Sequence, residues 1–363
     1  MDNDIKVLIV DDSAFARLAI SRELSSAGGI EVVDFARNGL EALEKIKRLK
    51  PQVVTLDVEM PELNGLQTLE RIMSECPTPV VMLSSLTGFG TEATIRALEN
   101  GAVDFFLKHT LANPIGGDGE ADTLRNKIIM ASKARLTRRE VGLPVMPVQV
   151  KPPKSTGNLR PSTHVLMIGS STGGPKALYQ VVPALPADLP AAVLIVQHMP
   201  TGFTQSLANR LDQLSNLAVK EAAAGDVLYD GHAYVAKGGF HMVVEEGGII
   251  ALNQKPTVCG VRPSVDVTMQ SLPAVYGSAV LGVVLTGMGS DGTNGSKLIK
   301  QYGGKIIAED ESTCIVWGMP KSVAEAGCAD QVLPLPRIAK AVADILKGQE
   351  QGVKNERSRV HIS

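Results

Sequence analysis

Residues 165–178 read VLMIGSSTGGPKAL. The apolar run Val165–Ile168 predicts a buried parallel strand, and the small residues, glycines and proline behind it predict a sharp turn into a helix. Gly169-Ser170-Ser171-Thr172-Gly173 fits G-x-S-x-G, the elbow that lifts a serine hydroxyl above the end of a sheet. Such a turn is tight enough to require small neighbours. Pro175 suits the first helical position, which leaves backbone N–H groups around Thr172–Gly174 free to face a developing oxyanion. Ser171 is the candidate nucleophile, with Ser170 a second hydroxyl beside it. A serine needs a base and a group to orient that base, so this segment alone leaves a plain glycine-rich turn or a phosphate-binding loop open.

Downstream, Ala192–Val196 (AVLIV) predicts a second strand ending at Gln197-His198-Met199-Pro200. A helix over Gly202–Leu214 follows, with Phe203, Leu207, Leu211 and Leu214 on one face. Ala279–Leu285 (AVLGVVL) predicts a third strand, opening into Thr286-Gly287-Met288-Gly289-Ser290-Asp291-Gly292 before another helix. If these strands are neighbours, Ser171, His198 and Asp291 emerge on one edge as a Ser–His–Asp triad. The imidazole would take the serine proton while the carboxylate orients the imidazole. The order Ser, His, Asp differs from α/β-hydrolases, whose acid precedes the histidine. His164, His232, His241 and His361 sit in less suitable places. Asp266, in Arg262-Pro263-Ser264-Val265-Asp266, is the rival acid and reads better as a helix-cap or first-turn residue. Glu245-Glu246-Gly247-Gly248 predicts a hairpin turn within the β-rich stretch Tyr229–Leu252.

Upstream, strands are expected at Lys6–Val10, Val32–Ala36, Val53–Leu56, Val80–Leu83 and Asp104–Leu107. Helices alternate with them: one capped by Ser13, one over Leu40–Leu49 with Leu40, Leu43 and Ile46 on one side, and one carrying Leu66, Leu69 and Met73. The alternation implies a parallel sheet with helices on both faces. Its C-terminal edge would receive Asp11, Asp12, Asp57, Ser84 and Lys108. Three converging carboxylates need a cation, and an all-oxygen donor set suits hydrated Mg²⁺. One carboxylate could accept a phosphoryl group, with Lys108 supplying charge to its oxygens and Ser84 a hydroxyl.

This half, over roughly residues 4–125, resembles the receiver domain of two-component response regulators. It shares the acidic pair after strand one, Asp57-x-x-Met60-Pro61, the hydroxyl after strand four and the lysine after strand five. The resemblance implies that Asp57 accepts phosphate from a histidine kinase. It also implies that Asp12, Asp57 and the carbonyl of Glu59 ligate Mg²⁺, that Asp11 acts through water, and that Ser84 and Phe105 are switch residues beside Lys108. His109 stands where proline is usual, and Phe105 where tyrosine is frequent. With GSSTGG, QHMP, RPSVD and LTGMGSDG in this order behind the receiver, the whole chain resembles the chemotaxis protein-glutamate methylesterase (CheB) family. Ser171, His198 and Asp291 would then be the triad, with Met288 contributing its backbone to the oxyanion site and Thr172 supporting the nucleophile.

The resemblance implies hydrolysis of glutamate γ-methyl esters on methyl-accepting chemotaxis receptors, with glutamine deamidation, activated through a sensor histidine kinase of the CheA type. Mg²⁺ would serve receiver phosphorylation, and the esterase step would need no cofactor. The expected control is an unphosphorylated receiver that covers the triad. A receiver-controlled hydrolase acting on another ester or amide is the alternative, and a non-catalytic docking scaffold retaining the triad is a further one. An output that binds DNA or nucleotide lacks its helix-turn-helix, basic face or Walker lysine.

Composition fits this reading. The chain has 363 residues, 44% of them hydrophobic, enough for two buried domains. Lys+Arg 36 against Asp+Glu 38 gives no bulk charge for nucleic acid. Four scattered cysteines, Cys76, Cys259, Cys314 and Cys328, favour buried thiols in a reducing cytoplasm rather than zinc or disulfides. The acidic start and the lack of a bilayer-length apolar run predict a cytoplasmic protein without membrane insertion.

The expected organisation is therefore α/β throughout. A five-stranded parallel (βα)5 receiver spans 1–125, and a helix end and flexible linker span 126–161. A doubly wound, mainly parallel α/β methylesterase domain with a β-hairpin insertion spans 162–348, followed by a polar tail at 349–363. The linker contains a basic run at Lys133–Arg139 and a Pro-, Gly- and Ser-rich stretch at Val141–Pro161, read as solvated spacer.

Overall fold

A computed structural model describes residues 4–26, 28–84, 88–108, 123–134 and 159–360, with side chains 88–90 and 349–360 outside that description. His109 and most of the linker lie outside the described residues. The chain divides into two compact units, Met1–Val145 and Met146–Ser363.

In the first unit β1 (Ile5–Val10), β2 (Ile30–Ala36), β3 (Val53–Asp57), β4 (Val80–Ser84) and β5 (Asp104–Leu107) form one parallel sheet in the order β2-β1-β3-β4-β5. The apolar runs of β1, β3, β4 and β5 are buried, as parallel strands covered by helices require, while edge strand β2 is only partly buried and leaves Phe35 exposed. The helices are α1 (Ala14–Ser25), α2 (Gly39–Leu49), α3 (Gly65–Glu75), α4 (Gly88–Glu99) and α5 (Leu124–Ser132). Ser13 caps α1 by accepting from the Ala16 N–H at 3.3 Å, and Asn64 with Gln67 forms a capping box on α3. Leu40 departs from expectation: it is exposed at the start of α2, and Gly39 and Ala42 lie inside with Leu43 and Ile46.

In the second unit seven strands form one sheet, every pair parallel. They are β6 (Val165–Ser170), β7 (Ala192–Gln197), β8 (Ala218–Glu221), β9 (His232–Val235), β12 (Val280–Val284), β13 (Lys305–Glu309) and β14 (Gln331–Leu333). The hairpin β10 (His241–Glu245) and β11 (Ile249–Asn253) pairs antiparallel on its own, as the Glu-Glu-Gly-Gly turn predicts. Helices α6 (Gly174–Val181), α7 (Phe203–Leu214), α8 (Val265–Ser271), α9 (Pro273–Tyr276), α10 (Thr293–Gln301), α11 (Met319–Glu325) and α12 (Leu335–Val360) complete the unit.

The sheet order is β14-β13-β12-β6-β7-β9-β8. The chain winds outward from β6 through β7 and later restarts on the other side at β12, so the winding direction reverses between β6 and β12. A crevice opens beyond the strand ends at such a reversal. The cysteines form no disulfide; Cys314 and Cys328 are buried, but Cys259 is exposed, contrary to the expectation of buried thiols. Its turn places Cys259 and Gly260 at φ 53° and 74° between paired Val258 and Val261, which turns the side chain outward at a hairpin tip. Among the described residues no helix is long and apolar enough to cross a membrane.

Candidate active site

Strands β12, β6 and β7 are adjacent, and their C-terminal ends carry Asp291, Ser171 and His198 respectively. Register puts Ser170 opposite Gln197, so Ser171 and His198 leave the sheet at the same level. The His198 N–H donates to the Ser170 carbonyl at 3.1 Å. Its imidazole Nε2 lies 2.8 Å from Asp291 Oδ2, which leaves Nδ1 as the nitrogen for a serine proton. Among the described residues Ser171 Oγ makes no hydrogen bond to the ring, a contact that in such sites tightens as substrate enters.

Asp291 is 2% exposed and accepts from four donors besides the histidine. They are the N–H groups of Val265 (2.7 Å), Asp266 (2.9 Å) and Gly292 (3.1 Å) and the Ser264 hydroxyl (2.9 Å). The first two belong to the opening turn of α8, whose orphan N–H groups favour an anion. Burial pushes the Asp291 carboxyl upward, but the His198 bond and the backbone donors outweigh it and hold the group below the ordinary carboxylate value. Asp266 is in the first turn of α8, as expected of a helix-cap or first-turn residue; Ser264 is the cap, and the Asp266 carboxylate turns to α10, accepting from the Gly295 N–H at 2.7 Å. Burial pushes its carboxyl up.

The elbow is braced from three sides. The Ser171 N–H donates to the Thr286 carbonyl at 3.0 Å, and the Gly174 N–H donates to the Ser171 carbonyl at 2.7 Å. The expectation that Gly174 keeps its N–H free is therefore corrected: closing the tight turn consumes it. Gln197 is the residue that sequence reasoning missed. Its Oε1 accepts from the Ser170 hydroxyl at 2.7 Å, and its Nε2 donates to the carbonyls of Ser171 (2.9 Å) and His198 (3.1 Å). Ser170 is thus fully buried and bound, whereas Ser171 is partly exposed. A polar side chain ending an all-apolar strand was the available signal.

Gly287 supplies the third side. Its N–H donates to the Val316 carbonyl at 3.0 Å, and its carbonyl accepts from Gly318 (3.0 Å) and Met319 (2.8 Å). In a trans peptide the N–H opposes the carbonyl, so the Met288 N–H points away from Gly318 and Met319. A Cβ on Gly287 would lie 2.8 Å from Ser171 Cβ, so only glycine allows this approach. The Thr286 hydroxyl donates toward the Thr172 carbonyl at 3.0 Å, tying Thr172 to the same loop.

In the first unit, oxygen atoms of Asp11, Asp12 and Asp57 lie within 4.8 Å of one another. Lys108 Nζ is 2.8 Å from Asp11 Oδ2 and 2.7 Å from Asp57 Oδ2. Asp11 is fully buried, so its charge is neutralised in this pocket by Lys108, and its carboxylate oxygens keep lone pairs that a cation could take. Burial pushes Asp57 up to about 6, against the pull of Lys108 and the Glu59 N–H. Ser84 lies buried at the end of β4, its oxygen 2.7 Å from the Thr94 hydroxyl that donates to it, and Phe105 is buried on β5 with Lys127 Nζ 5.7 Å from its ring centre. Arg17 donates to the carbonyls of Asp11 (2.7 Å) and Asp12 (3.0 Å), a brace the sequence reading also missed.

A serine, imidazole and carboxylate at three adjacent parallel strand ends, in a chain that also carries an acid-and-lysine pocket, is the arrangement of a serine hydrolase joined to a receiver. Residues 166–342 match the family described as CheB methylesterase, and residues 7–115 match the response regulator receiver domain. A protein-glutamate methylesterase/protein-glutamine glutaminase of Symbiobacterium thermophilum is 49% identical over 347 residues, covering 93% of this chain and 96% of the relative. Proteins of the same name from Geobacillus kaustophilus (49% over 351 residues, 94% and 99%) and Pyrococcus horikoshii (45% over 357 residues, 96% of each) are similar over the same extent. The chain belongs to the CheB methylesterase family, with a response-regulator receiver at its N-terminus.

Proposed function

We propose that the chain hydrolyses glutamate γ-methyl esters on methyl-accepting chemotaxis receptors, and deamidates receptor glutamines, at a rate raised by phosphorylation of Asp57. The observation that carries the chemistry is the 2.8 Å His198–Asp291 pair one strand away from the Ser171 elbow. Ser171 Oγ attacks the ester carbonyl carbon as His198 Nδ1 takes its proton, and the ionised Asp291 stabilises the imidazolium. Backbone N–H groups, that of Met288 among them, hold the oxyanion. Collapse expels methoxide, which leaves as methanol with the proton from His198, and water repeats the sequence on the acyl-enzyme. Glutamine follows the same path with ammonia as leaving group.

Asp57 is the acceptor of the phosphoryl group from a sensor histidine kinase of the CheA type. The carboxylates of Asp11, Asp12 and Asp57 and the carbonyl of Glu59 suit hard-cation coordination and would hold Mg²⁺, which supplies charge neutralisation for the incoming phosphoryl group. Lys108 neutralises the same oxygens from the protein side, and Ser84 offers a hydroxyl at the adjacent strand end. The protein acts in the cytoplasm in this reading.

Methanol release from methylated receptor membranes, with and without a small phosphodonor and Mg²⁺, tests both halves. Release is expected to rise with phosphodonor in the wild type and to be absent from Ser171→Ala. Equal release by that variant would overturn the assignment of the nucleophile.

A further inference from the structure

Glu309 ends β13, one strand beyond the Asp291 strand, and its side chain is fully buried. No part of the mechanism above uses it. Its Oε2 accepts from the Thr286 N–H at 2.8 Å, and its Oε1 accepts from the Thr313 hydroxyl at 3.0 Å. A carboxylate placed this deep costs far more than an apolar residue of the same size unless its donors are fixed. Burial raises its carboxyl above the ordinary value, with the Thr286 and Thr313 donors pulling the other way.

What Glu309 holds is the residue that faces the elbow. The Thr286 carbonyl accepts the Ser171 N–H at 3.0 Å, and its hydroxyl accepts from the Val316 N–H at 3.0 Å and directs its one proton to the Thr172 carbonyl at 3.0 Å, with the Val316 carbonyl at 3.2 Å as the alternative acceptor. The next residue is Gly287, whose backbone approaches Ser171 too closely for any Cβ. A single carboxylate oxygen therefore anchors the start of a loop that touches the nucleophile's N–H, its neighbouring carbonyl and the Gly287–Met288 peptide.

We propose that Glu309 is a positioning residue of the hydrolase: by accepting the Thr286 N–H it fixes the Thr286–Met288 segment against Ser171 and so sets the geometry of nucleophile and oxyanion donor together. The proposal rests on Ser171 being the nucleophile. Glu309 acts as an acceptor, not as an acid or base, which makes the amide a sufficient replacement. In Glu309→Gln the amide oxygen can face Thr286, while the Thr313 hydroxyl, also 3.3 Å from the Asp310 carbonyl, can direct its proton there and accept from the amide nitrogen.

The test is methanol release by the full chain as a function of methylated-receptor concentration, with phosphodonor present and Ser171→Ala as blank. Glu309→Gln is expected to keep kcat within about two-fold, whereas Glu309→Leu lowers kcat by about 10²-fold with KM unchanged, because a displaced reacting group is felt in the transition state. Trp317 emission on heating reports whether each variant is folded. If Glu309→Leu does not fold, Glu309→Asp takes its place, since the shorter chain withdraws the acceptor from Thr286, and about a ten-fold fall in kcat is expected. Wild-type kcat in the folded Leu or Asp variant overturns the proposal, as does a Gln variant that falls as far as Leu. Release by the Ser171→Ala blank would instead overturn the nucleophile reading on which the proposal rests.

Discussion

Replacing Gln197 by Glu exchanges one nitrogen for one oxygen and should damage the site in a way that pH reverses. Gln197 is 2% exposed, and its Nε2 points at two carbonyl oxygens, those of Ser171 and His198. A carboxylate oxygen there would face both at hydrogen-bond distance, so the introduced carboxyl must be protonated in the folded state. Even then its single proton reaches one carbonyl and leaves the other bare, a cost of about 1–3 kcal/mol. Keeping a group of unfolded pKa about 4.3 protonated costs about 4 kcal/mol at pH 7 but only about 1 kcal/mol at pH 5.

The sign follows from linkage. The folded-state pKa of the introduced acid lies above its unfolded value, so there is no ionisation penalty below the unfolded pKa, and the penalty grows as pH rises toward the folded one. The gap in unfolding free energy between wild type and Gln197→Glu should therefore shrink by about 3 kcal/mol between pH 7 and pH 5, other titrating groups cancelling in the difference. Trp317 is the chain's single tryptophan and lies in the second unit, so its emission during urea unfolding follows that unit alone. A gap that is the same at both pH values would refute the reasoning, because it would mean the Gln197 amide nitrogen does not face the two carbonyls.

Gly287→Ala adds a Cβ 2.5 Å from Met319 Sδ and 2.8 Å from Ser171 Cβ, so methanol release should fall by about 10²-fold while phosphate incorporation at Asp57, measured with a radiolabelled phosphodonor, is unchanged. Among the thiols, exposed Cys259 should react first with a water-soluble disulfide reagent. Cys314, buried and with its thiol pushed up by burial and by Glu309, should react only on unfolding, and peptide mapping after timed quenching distinguishes the two.

The strand segments and the chemistry-bearing residues at their ends were legible because each depends on local sequence alone. Val165–Ile168, Ala192–Val196 and the apolar run ending at Leu285 have strand length and are buried on both faces, and each ends at a polar or glycine-rich turn. What could not be read was strand adjacency: nothing in residues 198–279 states that the strand before Asp291 returns to pair with β6 rather than extending the far edge. The supporting residues were hidden for the same reason. Gln197 and Glu309 are single polar residues at strand ends, and their meaning lies in which loop they meet. Leu40 shows the complementary error, since a helix's first turn can overhang the core even when its periodicity is apolar.

Two aspartates compete for the role of orienting acid, and the packing of α8 against α10 separates them. Asp291, just before α10, takes the first two N–H groups of α8, and Asp266, inside α8, takes the Gly295 N–H in the first turn of α10, so a carboxylate from each segment accepts first-turn N–H groups of the other's helix. The exchange divides their chemistry. Asp266 spends its oxygens on Gly295 and Asn294, and burial raises its pKa. Asp291 shares one oxygen between His198 and the Val265 N–H, and the His198 bond and backbone donors hold its carboxyl below the ordinary value. A carboxylate with a depressed pKa does not take the imidazolium proton during the reaction but stabilises it in place, which is what a base that must return that proton to methoxide needs. The segment after β12, and not α8, therefore brings its carboxylate to His198, and it can do so because the winding reversal seats β12 beside β6.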